Sequence, residues 1–196
     1  MKKKLFILLL TVVIISVAAG SASAYSISGS ISGAQFLGGI TYVVAVSLDG
    51  GFPPQIYMGL ALLGNGNYNI QNVPQGQYIL VAFQDRDYNL TPSMGDYFGW
   101  YGDPVPEVLE INSNRSGLNI RVEPLPATQI TGNISYSGTQ TGLVLVEAAS
   151  DTAFTQNNFY TIVLDSSGNG AYTLFTEPGR YYVRAFMDLD RNLTYS

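Results

Sequence analysis

Two short stretches of the chain place acidic and amide side chains two residues apart, directly after an apolar run. They are Asp85, Asp87 and Asn89 in AFQDRDYNL, and Asp188, Asp190 and Asn192 in AFMDLDRNL. Only 12% of the residues are charged, so carboxylates are concentrated in these stretches. Alternate side chains of a loop that curls around an ion point toward it, and carboxylate and amide oxygens are ligands that Ca²⁺ prefers. The spacing therefore indicates a divalent-cation loop that occurs twice.

A calcium loop of the EF-hand type supplies a register for the first stretch. Such a loop takes oxygens from positions 1, 3, 5, 7, 9 and 12, with a backbone carbonyl at position 7. These positions fall on Asp85, Asp87, Asn89, Thr91, Ser93 and Asp96. Position 6, where glycine normally permits a sharp turn, is Leu90. In the second stretch positions 1, 3, 5 and 9 fall on Asp188, Asp190, Asn192 and Ser196.

The alternative to a metal site is a solvated turn, because Asp and Asn are common turn residues. The recurrence of the pattern and the carboxylate at position 12 favour Ca²⁺. A catalytic carboxylate pair of the glycosidase type is a further alternative for Asp85, Asp87 and Asp96. No other catalytic group supports it, since the chain has no His, no Cys and no recognisable nucleophile motif. We therefore expect no enzymatic activity.

An aromatic stretch follows the first acidic loop. DYFGWYGDP, residues 96–104, contains the only Trp of the chain. If Tyr97, Trp100 and Tyr101 were exposed, they could stack on sugar rings, so a carbohydrate-binding module is the second candidate function. The alternative, which we favour, is that these rings cover the end of the fold or pack under the metal loop, as large aromatic side chains usually do.

The composition narrows the classes of partner and metal. All three lysines lie at positions 2–4, and after residue 24 six arginines face 14 acidic residues, a net charge of −8. An acidic chain without a basic cluster is poorly suited to nucleic acid. The absence of His removes the commonest ligand of zinc and copper, so any metal should be a hard, oxygen-ligated ion. The absence of Cys excludes disulfides and lipid attachment through cysteine.

The first 24 residues have the pattern of a secretory signal peptide. MKKKLFILLLTVVIISVAAGSASA combines three lysines, an apolar run from Leu5 to Ala19 and a small-residue cleavage site at Ala22–Ala24. The run is short for a membrane span of about 20 residues, so we expect cleavage before Tyr25 rather than an anchor. The sequence thus predicts a secreted or cell-surface protein, or a periplasmic one in a Gram-negative cell, with no membrane attachment after cleavage.

An internal repeat organises the remaining chain. ISGSISG from Ile27 resembles ITGNISYSG from Ile130, and VPQGQYILVAFQDRDYNL from Val73 resembles EPGRYYVRAFMDLDRNL from Glu177. We expect repeat 1 at residues 25–123, a proline-stiffened linker at 124–128, and repeat 2 at 129–196. Repeat 2 lacks counterparts of the last strands of repeat 1, VLEIN and LNIRVE. The sequence therefore predicts a truncated second domain, with further domains beyond Ser196.

Both repeats have the composition of β-strands. ITYVVAVSL and IYMGLALL are rich in β-branched and aromatic residues, and no segment shows a helical period. About seven strands in repeat 1 suit a two-sheet sandwich. Asn65–Gly66 and Asn169–Gly170 lie between apolar runs and predict hairpins.

The strand before the first acidic loop has two faces that the repeat helps to distinguish. We expect Tyr78, Leu80 and Ala82 to face the core. The opposite face, Ile79, Val81 and Phe83, corresponds in repeat 2 to a face that carries Arg184. An unpaired buried arginine is costly, so we expect this second face to be the wetter one.

These turns and this strand resemble a known group of modules. GNGNYNIQNVPQGQYILVAFQDRDYN is similar to the secreted β-sandwich modules of the carboxypeptidase-regulatory-like and transthyretin-like type, some bacterial relatives of which carry a D-x-N-x-N-G loop at this position. The resemblance implies a prealbumin-like Greek-key sandwich that serves as an accessory module in a longer secreted or surface protein. Related folds bind starch or other glycans, although no sugar-binding residue is carried over.

The sequence as a whole predicts tandem all-β Greek-key sandwiches after a signal peptide, the second one incomplete. We expect a non-enzymatic secreted module, structural or adhesive, stiffened by Ca²⁺ in the D-x-D-x-N loop. Its partner would be a glycan or another surface protein, and not nucleic acid.

Overall fold

The computed structural model describes residues 5–8, 24–35, 39–49, 54–62, 64–102, 106–156, 158–163, 169–190 and 192–195. Within these residues the chain is all-β, with fifteen strands and no helix. The strands are β1 Leu5–Leu8, β2 Ala24–Ser32, β3 Ile40–Ser47, β4 Ile56–Ala61, β5 Gly66–Pro74, β6 Gly76–Asp85, β7 Tyr97–Trp100, β8 Leu109–Ile111, β9 Ile120–Arg121, β10 Glu123–Pro124, β11 Thr128–Ile134, β12 Leu143–Ala149, β13 Phe159–Val163, β14 Gly170–Thr176 and β15 Tyr182–Asp188. The described residues contain no helix that is long and apolar enough to span a membrane.

The strands of repeat 1 form two sheets over one core. One sheet has the order β10-β7-β6-β3-β4, with β8 also paired to β6, and the other has the order β5-β2-β9. Buried side chains from both sheets, among them Ile27, Ile70 and Leu80, form the first core. This arrangement is consistent with the predicted β-sandwich. Eight strands, β2 to β9, lie in the repeat where about seven were expected.

Repeat 2 contains a sheet of order β1-β13-β12-β15 and the pair β11-β14. Its core is formed by buried side chains that include Val144, Val146 and Leu174. Strand β1 lies within the predicted signal peptide and pairs in parallel with β13. Residues 1–4 and 9–23 of that segment lie outside the described residues, so the signal peptide stays a prediction.

The face of β6 that was expected to be wet is buried. Tyr78, Leu80 and Ala82 lie in the first core, as predicted. Ile79, Val81 and Phe83 are also buried, in a second cluster that they share with side chains from repeat 2. Among the members from repeat 2 are Leu145, Ile162 and Leu193. The prediction failed because another part of the chain covers this face, and the single strand carries no signal of that partner.

The two Asn-Gly pairs do not form the predicted hairpins. Strand β4 pairs with β3, whereas β5, which begins at Gly66, crosses to the other sheet and pairs with β2. The Asn65 side chain instead holds the loop after β2: it accepts from the Ala34 N–H (3.0 Å) and donates to the Ala34 carbonyl (2.7 Å). Asn169 likewise accepts from the Tyr136 N–H at 2.7 Å. These side-chain bonds stabilise a crossing between sheets in place of a tight turn.

The predicted linker is packed against the molecule. Pro124 pairs with Tyr97 in β10 and β7, and Leu125 is buried in the cluster shared by both repeats. The Leu125 N–H donates to the Asp96 carbonyl at 2.8 Å. The linker is therefore attached to the last residue of the first acidic stretch.

Candidate metal centre

The first acidic stretch connects β6 to β7 at one end of the sheet. We call residues 85–96 loop 1. Asp85 is the last residue of β6 and has no exposed surface, Asp96 is buried directly before β7, and Asp87 is exposed. Carboxylate oxygens of the three aspartates all lie within 4.8 Å of one another. The fold therefore brings together positions 1, 3 and 12 of the register expected from the sequence.

Backbone and hydroxyl groups of loop 1 hold the two buried carboxylates. Asp96 Oδ1 accepts from the Arg86 N–H (2.9 Å), and its Oδ2 accepts from the Ser93 N–H (2.8 Å). Asp85 Oδ2 accepts from the Leu90 N–H at 2.9 Å. The other oxygen of Asp85, Oδ1, is buried and has no hydrogen-bond partner. Because buried polar atoms are nearly always paired, this oxygen is the strongest indication of a ligand position.

The electrostatics of the cluster are unfavourable without a cation. Burial raises the pKa of Asp85, and the neighbouring carboxylates of Asp87 and Asp96 raise it further, while the Leu90 and Tyr88 N–H groups lower it. The Arg86 guanidinium donates to the Gly95 carbonyl at 3.1 Å. A divalent cation would offset both the repulsion and the desolvation of the buried carboxylate.

Leu90 adopts the backbone conformation for which glycine is normally required. Its φ is +59°, in the left-handed region, and Tyr88 has a φ of +60°. This turn directs the Leu90 N–H toward Asp85. The departure from glycine at position 6 therefore adds local strain without preventing the sharp turn.

The other residues of the predicted ligand set lie at different distances from the cluster. The Ser93 hydroxyl is 2.9 Å from Asp96 Oδ2 and 3.2 Å from Asp87 Oδ2, so it lies beside the carboxylates. Asn89 donates to Asp87 Oδ2 at 2.6 Å through its side-chain amide. The Thr91 hydroxyl donates to Asn89 Oδ1 at 2.5 Å. The structure thus places Ser93 and the Asn89 amide group in contact with the carboxylates, and the Thr91 hydroxyl one contact further away.

The second acidic stretch has the same local geometry. We call residues 188–195 loop 2, of which Arg191 lies outside the described residues. The Leu193 N–H donates to Asp188 Oδ2 (3.0 Å), the Asn192 amide donates to Asp190 Oδ2 (2.7 Å), and the Thr194 N–H donates to Asn192 Oδ1 (2.7 Å). Leu193 has the same φ of +59° as Leu90. Ser196 lies outside the described residues, and within them a three-carboxylate group occurs in loop 1 alone.

The aromatic side chains after loop 1 are packed. Trp100 is 3% exposed, in the cluster shared by the two repeats, and its ring meets that of Phe98 edge to face at 5.7 Å. Tyr97 and Tyr101 are half-buried against the core of repeat 1. This is the packing alternative that the sequence left open, and a buried Trp100 ring cannot stack on a sugar.

Sequence reasoning missed a buried polar network on β12. Arg184 Nη2 and Nε lie 2.6 and 2.8 Å from Glu147 Oε2. The Asn158 amide donates to the other oxygen of this buried carboxylate. In the sequence, this network is indicated only by the single acidic residue, Glu147, within the apolar run LVLVEAAS. Arg184 is thus ion-paired, so its presence did not require a wet face.

Comparison of the chain with protein-family models, curated proteins and solved structures found no match. The class that the fold itself defines is an all-β, sandwich-like protein with a cluster of three aspartates beside one strand end.

Proposed function

We propose that this protein is a secreted, non-enzymatic β-sandwich protein, structural or adhesive, in which Ca²⁺ bound by loop 1 stiffens the junction between two sandwich domains. The observation that carries the proposal is the buried Asp85 Oδ1, which has no hydrogen-bond partner and lies within 4.8 Å of ligand oxygens of Asp87 and Asp96. The prealbumin-like, Greek-key character of the domains belongs to the same proposal.

The residues present suit calcium in both number and hardness. Ca²⁺ takes roughly six to eight oxygen ligands in flexible geometry, and three carboxylates and the Ser93 hydroxyl supply hard oxygens. The Asn89 oxygen accepts from the Thr91 N–H and hydroxyl, so its amide group would have to rotate to become a ligand. Water would complete the shell on the side of the exposed Asp87. Loop 2 has the same turn with fewer described acids, so we infer that it binds calcium more weakly.

Asp96 connects the proposed metal site to the linker between the two repeats. Its side chain would bind the ion, while its backbone carbonyl accepts from the Leu125 N–H of the linker. Leu125 in turn lies in the cluster that contains side chains of both repeats. Calcium in loop 1 would therefore restrain the segment that joins the two domains.

The test is a thermal melt of the full chain in EDTA and in millimolar calcium, monitored by circular dichroism. An ion at about 100 times its dissociation constant adds about 2.7 kcal/mol. At roughly 2–4 °C per kcal/mol for a chain of this size, we expect Tm to rise by about 5–10 °C. The rise should be absent in Asp85→Asn and retained in Asp151→Asn, since Asp151 binds its own loop through the Thr155 N–H.

Equal melting temperatures in EDTA and calcium for the native chain would overturn the proposed metal site. A shift that persisted in Asp85→Asn would move the site away from loop 1. A repeat of the melt in magnesium tests the expected preference for the larger ion.

A further inference from the structure

Each acidic loop contains an asparagine that is followed two residues later by a threonine. These are Asn89-Leu90-Thr91 in loop 1 and Asn192-Leu193-Thr194 in loop 2. The pattern N-x-S/T, with any residue except proline in the middle, is the acceptor pattern for an N-linked glycan in a secreted protein. A pattern this short also arises by chance, so the structure has to separate usable acceptors from the others. The chain contains four such patterns, at Asn89, Asn114, Asn133 and Asn192.

The side chain of Asn89 is held in a geometry that polarises its amide group. Its Oδ1 accepts from the Thr91 N–H at 2.6 Å and from the Thr91 hydroxyl at 2.5 Å. Its Nδ2 donates to Asp87 Oδ2 at 2.6 Å. Donors at the amide oxygen and an ionised carboxylate at the amide nitrogen both favour loss of an amide proton, and bonds to a charged acceptor are the stronger ones. The contacts of Asn89 therefore prepare Nδ2 for bond formation.

The same arrangement recurs in loop 2. Asn192 Oδ1 accepts from the Thr194 N–H at 2.7 Å and from the Thr194 hydroxyl at 2.6 Å, and the Asn192 amide donates to Asp190 Oδ2 at 2.7 Å. The two loops pack differently, since Leu90 is exposed and Leu193 is buried. The arrangement therefore follows from the local sequence D-x-N-x-T and does not depend on the surroundings of loop 1.

Asn89 is also an acceptor that a transferase can reach. Residues 86–91 are all exposed, and they connect two strands without pairing to either. Asn114 is exposed too, but its Oδ1 accepts from the Ser26 N–H at 2.9 Å, which attaches it to β2. Asn133 lies inside β11, which pairs with β14. A transferase would have to detach these two segments from a sheet, whereas loop 1 can enter its site with the strands intact.

A glycan at this position would also cover apolar surface. Loop 1 exposes three large apolar side chains, Tyr88, Leu90 and Met94. Two of them are the direct neighbours of Asn89 in the chain. Because an N-linked glycan is bulky and strongly hydrated, it would shield these side chains and reduce the apolar surface that the loop presents to water.

We propose that Asn89 carries an N-linked oligosaccharide, an inference that rests on the secretion included in the proposed function. The donor is an oligosaccharide carried on a polyprenyl diphosphate, and a membrane-bound transferase catalyses the transfer. C1 of the first sugar bonds to Asn89 Nδ2, the C1–O bond to the diphosphate breaks, and the diphosphate leaves with the electron pair. Nδ2 loses one proton to a base of the transferase and keeps the other hydrogen, so its bond to Asp87 can persist.

The test is site-resolved glycopeptide mass spectrometry on the full chain, isolated from its own cells and their medium. We expect an oligosaccharide on Asn89, whereas Asn114 and Asn133 serve as internal controls and should be unmodified. Thr91→Val keeps the shape and the N–H but removes the hydroxyl, and should lower the occupancy of Asn89 by about tenfold. Thr91→Ser retains the hydroxyl and should be modified as the native chain is. Thr91 is exposed, so neither variant disturbs the core.

The same spectra report where the mature chain begins, which separates this proposal from the proposed secretion. An unmodified Asn89 in a chain that begins at Tyr25 would overturn the glycan site and leave secretion intact. An unmodified Asn89 in a chain that retains residues 1–24 would overturn both. Equal occupancy of Asn89, Asn114 and Asn133 would overturn the argument from the geometry of loop 1. None of these outcomes depends on calcium.

Discussion

At the scale of single residues, Asp85 decides how loop 1 responds to its ionic environment. The residue ends β6, a strand that is buried on both faces, and one of its oxygens has no hydrogen-bond partner. Without a cation the negative charge of Asp85 is destabilising, because burial and two neighbouring carboxylates raise its pKa above the ordinary value of 3.8. With a divalent cation the same charge becomes a ligand.

This dual role predicts that Asp85→Asn stabilises the calcium-free protein. A carboxyl whose pKa is raised by folding contributes stability that is fully present below its unfolded pKa and is lost as pH rises through the folded pKa. Asn carries no charge and avoids that loss. In EDTA at pH 7 we therefore expect the variant to melt above the native chain, with the difference shrinking as pH falls toward about 4. A lower Tm for the variant at pH 7 in EDTA would contradict the electrostatic account of loop 1.

The two leucines at position 6 offer a matched pair of substitutions. Leu90 and Leu193 share a φ of +59°, but Leu90 is 44% exposed and Leu193 is 5% exposed, in the cluster between the repeats. Leu90→Gly relieves strain and loses little burial, so its effect should range from neutral to a gain of about 1 kcal/mol. Leu193→Gly should destabilise by about 2–3 kcal/mol, because the lost burial exceeds the relief. Urea unfolding measures the change in unfolding free energy of both variants. Similar changes would show that the different burial of the two leucines does not affect stability.

At the scale of elements, corresponding strand pairs have different chemistry in the two repeats. Val44 lies opposite Val81 on β3 and β6, whereas Glu147 lies opposite Arg184 on β12 and β15. The charged pair is buried on the Glu147 side and is supported by Asn158. A buried ion pair is sensitive to the loss of one partner and tolerant of replacement by an apolar pair.

We accordingly expect Arg184→Val alone to destabilise the protein by about 3–5 kcal/mol, because it leaves the Glu147 carboxylate buried without its guanidinium. The double variant Glu147→Val/Arg184→Val, which copies the first repeat, should recover most of that loss. A double-mutant cycle from urea unfolding gives the coupling energy. Additive losses in the double variant would show that the pair is not coupled.

At the scale of the whole molecule, the two repeats share one buried cluster. It contains Val81 and Trp100 from the first repeat, Leu125 from the linker, and Leu145 and Ile162 from the second. Because this cluster lies outside the separate cores of the two repeats, unfolding of one repeat exposes apolar surface of the other. The chain should therefore unfold in a single cooperative transition.

Trp100→Ala tests this cooperativity. Removing the ring should cost about 3–5 kcal/mol and should split the melt into two transitions, because the contact between the repeats is weakened more than either core. Tyr88→Ala removes an exposed aromatic side chain from loop 1 and should stay within about 0.5 kcal/mol of the native chain. If Trp100→Ala still melted in a single transition, only at a lower temperature, the ring would stabilise the protein without coupling the unfolding of the two repeats.

The sequence predicted the all-β class and the local form of the acidic loops, because both depend on short-range patterns. Comparison of the two repeats predicted that Tyr78, Leu80 and Ala82 face the core, and the spacing of Asp85, Asp87 and Asn89 predicted a loop whose carboxylates converge. The hydrogen bonds of loop 2 repeat those of loop 1, as the repeated residues indicated. Calcium, secretion and the family resemblance stay predictions.

What the sequence by itself determined are properties set by neighbours along the chain: the strand-forming composition, the repeat, and the turn that gathers the aspartates. The tertiary structure alone decided which sheet the strand after Asn65–Gly66 joins, that the second face of β6 is buried, and that Trp100 lies between the repeats. The physical reason is that burial of a face depends on what packs against it. An apolar strand face is compatible with several partners, and only the folded chain selects one of them.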